Sequence, residues 1–98
     1  MSPYETIDPT ISSWAVENSI QWLTEYQGTE VRTFFLQLEG KEKVQIWIDP
    51  PSGTNLIIHA VQYRHGGKKR NSKDFPCTAS TLFKSLDKAL DTALKWLL

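Results

Sequence analysis

The amino-acid sequence predicts an α+β fold, a two-layer sandwich with a four-stranded antiparallel meander flanked by an N-terminal and a C-terminal helix. Three observations carry this expectation. Residues 43–49 and 54–63 are β-patterned and separated only by a short Pro-Pro-Ser-Gly connection. Strands joined that closely pair antiparallel, because a parallel crossover needs a dozen residues or more. Leu82, Leu86, Ala89, Leu90, Ala93, Leu94 and Leu97 recur at helical spacing with charged residues between them, the mark of a helix laid on a core. Finally, a chain of 98 residues has room for one core, so residues 1–98 read as a single domain.

Each element follows from its residues. Asp8-Pro9 reads as a helix start, with Asp8 at the N-cap and Pro9 in the first turn. Ile11, Trp14, Ala15 and Asn18 trace a short stripe, which predicts a helix over about residues 9–18. In residues 20–26, Ile20, Trp22, Thr24 and Tyr26 alternate, and Thr and aromatics favour a strand. Val16, Ile20 and Leu23 also share helical spacing. The runner-up order is therefore α-β-β-β-α, with the first helix extended to about residue 25, against the preferred α-β-β-β-β-α. Gln27-Gly28-Thr29 is a turn, residues 30–39 are β-rich, and Gly40-Lys41-Glu42 is a second turn. The next strand, 43–49, alternates Val44, Ile46 and Ile48 with Gln45, Trp47 and Asp49. Proline and glycine in residues 50–53 end it. Residues 54–63 form the most apolar strand. Gly66-Gly67 then opens a polar loop running through Pro76. Ser80 or Ser85 caps the C-terminal helix, with Asp87 and Asp91 toward its start and Lys95 toward its end. Ile46, Ile58, Leu86 and Leu90 are expected in one core.

The composition, 40% hydrophobic and 22% charged, is that of a soluble globular domain and excludes a disordered tail or a disulfide scaffold. No apolar run approaches the roughly 20 residues of a membrane span, and residues 1–10 lack the pattern of a signal peptide. A single cysteine, Cys77, points to a reducing compartment and a cytoplasmic location. The net charge of zero conceals an asymmetry. Residues 1–50 carry three basic and eight acidic residues, a net of −5, and residues 51–98 carry eight and three, a net of +5. Five of the basic residues lie between Arg64 and Lys73, without an acid among them.

Little in the sequence points to catalysis. Cys77 has no oxyanion-hole motif around it, and a lone cysteine usually behaves as a small buried hydrophobe. His59, His65 and Cys77 are too widely spaced to form a recognisable metal motif. Gly66-Gly67-Lys68 lacks the remaining residues of a phosphate-binding loop. Asp49 suits the turn it precedes, and Asp87 and Asp91 alternate with lysines on a solvated helix face. The chain is therefore expected to be non-catalytic and to need no cofactor or metal.

The stronger candidate is one face of the sheet. If Val44, Ile46 and Ile48 point toward the helices with Leu56, Ile58 and Ala60, then Gln45, Trp47 and Asp49 point away with Ile57, His59, Val61 and Tyr63. The candidate binding residues are Trp47, His59 and Tyr63 together with Arg64, Lys68, Lys69, Arg70 and Lys73 of the basic stretch. Aromatic residues and arginine dominate binding energy in protein interfaces, so a protein partner or self-association is the leading expectation, as in a small modulator or inhibitor-like protein. The alternative is nucleic acid, with the aromatic face stacking bases and the basic loop 64–73 holding phosphates. A near-neutral net charge weighs against it. No membrane partner is expected.

Overall fold

Pro9 sits in the first turn of helix α1, Asp8–Glu17, where a missing backbone N–H costs nothing. The computed structural model describes residues 2–64 and 66–98, so His65 lies outside the described residues. After α1 come strands β1 (Leu23–Tyr26), β2 (Thr29–Leu36), β3 (Val44–Ile48), β4 (Asn55–Tyr63) and β5 (Lys69–Thr78). A single 3₁₀ turn, Ala79–Thr81, leads into helix α2, Leu82–Leu97. All five strands form one sheet in the order β1-β2-β3-β4-β5, and every neighbouring pair is antiparallel. The fold is α+β, as the sequence predicts, with one strand more than expected.

The additional strand is β5. The polar residues read as a loop pair with β4 almost residue for residue, including Ile58↔Phe75, His59↔Asp74 and Val61↔Ser72. Because β4 is apolar and central, its backbone groups need partners on both sides. As an edge strand, β5 meets that need while keeping a polar exterior and tolerating Pro76. The connection from β4 turns at Gly66 and Gly67, both with positive φ, a conformation that glycine adopts without steric cost.

Other boundaries differ for local reasons. The chain leaves α1 at Asn18, whose side-chain amide donates to the Trp14 carbonyl at 2.9 Å. Ser19 follows with φ of 55°, which ends the helix and removes the α-β-β-β-α order. The first strand begins only at Leu23; Ile20 and Trp22 pack on the core instead. Asp8 is not the helix cap. Ile7 holds that position without a side-chain cap bond. The Asp8 carboxylate instead accepts from Arg32 Nε at 2.7 Å and Nη2 at 3.0 Å. Arg32 is only 5% exposed, and a buried guanidinium left without its carboxylate is far more costly than an uncapped helix end. Between β1 and β2, Gln27 and Gly28 both have positive φ, as a two-residue hairpin matching the strand twist requires.

Both helices lie on one face of the sheet. Helix α2 packs on β3, β4 and β5, and α1 packs on α2. Ile46, Ile58 and Leu86 are fully buried in one cluster with Trp14, Phe34 and Ala89. Leu90 packs against that cluster while partly buried, and Leu94 is 37% exposed, so the apolar stripe of α2 is wider than its buried face. Trp14 tilts against Phe34 with ring centroids 5.1 Å apart, and its indole N–H donates to Asp87 at 2.9 Å. Asp87 thus has a structural partner in addition to its place in the sequence of charges. Neither Ser80 nor Ser85 caps α2. Thr78 and Thr81 form a reciprocal capping box around the 3₁₀ turn, and Ser85 is buried inside the helix. Among the described residues, no helix is long and apolar enough to cross a membrane.

Candidate binding face of the sheet

The face of the sheet opposite the helices is built by strand parity. On β3 the side chains of Val44, Ile46 and Ile48 are buried in the core, which sends Gln45, Trp47 and Asp49 to the other side. The register then aligns one outward row across four strands: Thr33 on β2, Trp47 on β3, His59 on β4 and Asp74 on β5. Trp47 and His59 stack, with ring centroids 4.9 Å apart and planes 25° from parallel.

His59 is held at both nitrogens. Nε2 lies 2.6 Å from Asp49 Oδ2, and Nδ1 lies 2.7 Å from Asp74 Oδ1. Burial pulls the charged imidazolium down, but the two carboxylate bonds outweigh it and hold the ring above its ordinary value of 6.5. Only the doubly protonated ring can donate to both carboxylates. The carboxylates approach from opposite edges of the ring and do not converge. Among the described residues, no group of three His, Cys, Asp or Glu side chains is arranged to hold a metal ion.

Beside this row runs a chain of hydrogen bonds. Tyr63 donates to Gln45 Oε1 at 3.1 Å, Gln45 Nε2 donates to Thr33 Oγ1 at 3.2 Å, and the Thr33 hydroxyl donates to the Ile46 carbonyl at 3.0 Å. These bonds orient the Gln45 amide and hold Tyr63 over the sheet. Tyr26 and Phe35 tilt together at 5.3 Å, with Lys43 Nζ 4.8 Å from the Phe35 ring centre. Two shallow grooves, of about 360 and 410 Å³, share Tyr26, Gln45 and Tyr63 as their common wall. Glu30, Asp49 and Trp47 line the first; Lys43 and Gly67 line the second. The face thus has an acidic end and a basic end.

The candidate residues divide. Trp47, His59 and Tyr63 share this face, and Lys69 pairs beside Tyr63. Arg64 and Lys68 close the hairpin, the Arg64 N–H donating to the Lys68 carbonyl at 2.6 Å. Arg70 sits at the bulge between β4 and β5 and pairs with Glu42. Lys73 lies opposite Ala60, on the helix side of the sheet, with Nζ 5.4 Å from the Phe75 ring centre. The basic stretch is therefore part of a hairpin whose charges point in different directions, not one loop with a single basic surface. Cys77 pairs with Leu56 on the helix side, opposite to His59, so the two do not form a nucleophile and base. Burial pushes the Cys77 thiol up, offset in part by a hydrogen bond with Ser85.

Asp74, Tyr26 and Phe35 are among the members of this face that sequence reasoning missed, with Thr33, Lys43 and Glu30. Asp74 was hidden by the assignment of β5 as a loop. Alternation along β2 offers a signal for Phe35, since Phe34 is buried and its neighbour must face outward. Comparison with protein-family models, curated proteins and solved structures finds no match to this chain.

Proposed function

We propose that this chain is a non-catalytic protein-interaction module that docks a partner protein on the outer face of its sheet. The observation that carries the reading is an aromatic face that neither helix covers: both helices lie on the other side, and the half-buried Trp47, Tyr63, Tyr26 and Phe35 line the two grooves. An antiparallel sheet ordinarily shows solvent a polar face, whereas tryptophan and tyrosine are the residues that anchor interfaces. The alternative of strand addition at β5 is disfavoured by Lys69, Lys73, Asp74 and Pro76, which protect that edge. The engagement of both His59 nitrogens also argues against a free general base. The lone cysteine supports placing the module in the cytoplasm.

The test is capture from lysate of the source cells, with and without nuclease, followed by affinity measurement on the captured protein. The expected partner survives nuclease treatment. Trp47→Ala should weaken its binding by about 2 kcal/mol, roughly thirtyfold. Joint replacement of Lys68, Lys69 and Arg70 by alanine should act mainly on association rate. A nuclease-sensitive partner, with a steep salt dependence removed by the triple variant and Trp47→Ala neutral, would establish nucleic-acid binding instead.

A further inference from the structure

The groove at the acidic end of the face has a composition that selects its ligand. It is lined by Tyr26, Trp47 and Tyr63 and by the acidic residues Glu30 and Asp49, with the fully buried Tyr4 behind them. Among the described residues, none of those lining it is lysine or arginine. Aromatic faces carry negative electrostatic potential, so rings and carboxylates together favour a cation and disfavour an anion. The same chemistry already operates within this fold, where the Arg32 guanidinium lies 4.4 Å from the Tyr4 ring centre.

The two carboxylates have capacity left. Asp49 is 45% exposed and bonds His59 through Oδ2. Glu30 is 48% exposed, and its contact with Arg32 is long, at 3.7 Å. Arg32 directs its short bonds elsewhere, to Asp8, Ser2 and the Thr24 carbonyl. At about 360 Å³ the groove is at the small end of ligand sites, matched to one long side chain and its adjoining backbone.

We propose that this groove captures an arginine side chain presented by the partner protein. The proposal rests on the docking reading above and names the chemistry of its central contact. Arginine fits better than lysine because a planar guanidinium can lie on an indole while its N–H edge meets carboxylates. It is also the more weakly hydrated cation, so less is lost on leaving water.

The experiment uses the intact chain and follows the Trp47 indole N–H by two-dimensional NMR. The probe is N-acetyl-arginine methylamide, with the citrulline analogue as its neutral counterpart. Expected is a saturable shift with arginine, affinity for citrulline lower by about three- to fivefold or more, and a similar loss in Glu30→Gln. Glu30 is an exposed residue at the hairpin end of β2, and Asp49→Asn provides a second variant whose fold the same spectra check. No saturable shift, or equal binding of citrulline, would overturn the proposal. Partner capture that depends on Trp47 without arginine binding would overturn it too, while leaving the docking reading intact. Arginine binding without partner capture would support the ligand class and count against docking.

Discussion

His59 shows how one residue can make a surface pH-sensitive. Its two carboxylate bonds come from different strands, Asp49 beyond the end of β3 and Asp74 on β5, so the imidazolium ties three strands together. When it loses a proton, one nitrogen presents a lone pair to a carboxylate and that bond fails. The native pKa is raised above 6.5. The stabilising contribution is therefore complete below the unfolded value and is lost as pH rises through the native one. NMR titration should find His59 above 6.5, and Asp74→Asn should lower that value. The stability gap between wild type and Asp74→Asn should be full below 6.5, the ordinary value, and shrink as pH rises above it. A gap independent of pH would mean that the ring is not held as the imidazolium.

At the scale of the element, the entry to α2 illustrates how a cap can be made without the usual residues. Thr78 and Thr81 exchange side-chain bonds with each other's backbone, the Thr78 N–H donating to Thr81 Oγ1 at 3.0 Å. The familiar pattern has Glu or Gln at the last position, so a threonine there is easily passed over in favour of a nearby serine. Thr81→Ala should lower stability by about 1 kcal/mol, read from urea unfolding, while Ser80→Ala should change it by less. Equal losses from the two variants would show that the box is not what holds the helix start. The β5 strand teaches the same lesson in another form. Its charged residues are those of an edge, and edge strands resemble loops in composition because only one side of their ladder needs a partner.

For the whole molecule, the sheet's inner face and the two helices share one cluster of buried side chains. Ile46 and Ile58 are each 0% exposed and lie in that cluster on the adjacent interior strands β3 and β4. Truncation of either to alanine should cost about 2–5 kcal/mol, a large fraction of the roughly 5–15 kcal/mol typical of a domain. Leu90→Ala, at a partly buried position, should cost less. Chemical denaturation checks the ranking, and losses below about 0.5 kcal/mol at both isoleucines would contradict the sheet-on-helix packing. The charge asymmetry also resolves at this scale. Glu42 from the acidic half pairs with Arg70 from the basic half, so the two halves partly neutralise each other once β5 folds back along β4.

Local periodicity determined much of this architecture: α1 from the Ile11-Trp14-Ala15 stripe, β3 from its alternation, α2 from its leucines and alanines. Parity along β3 and β4 also placed Trp47, His59 and Tyr63 on one face, because strand period and sidedness are properties of neighbouring residues. Other features depended on groups distant in the chain. Asp8 serves Arg32 rather than its own helix, since a buried guanidinium 24 positions away has the greater need of a carboxylate. Residues 69–78 become a strand because β4 offers an unpaired edge, and that pairing brings Asp74 to His59. The acidic groove likewise arises only when β2, β3 and the N-terminal segment meet. Hydrogen-bond demand and charge pairing act through space, so these contacts are decided by the packed fold and leave no periodic trace in the sequence.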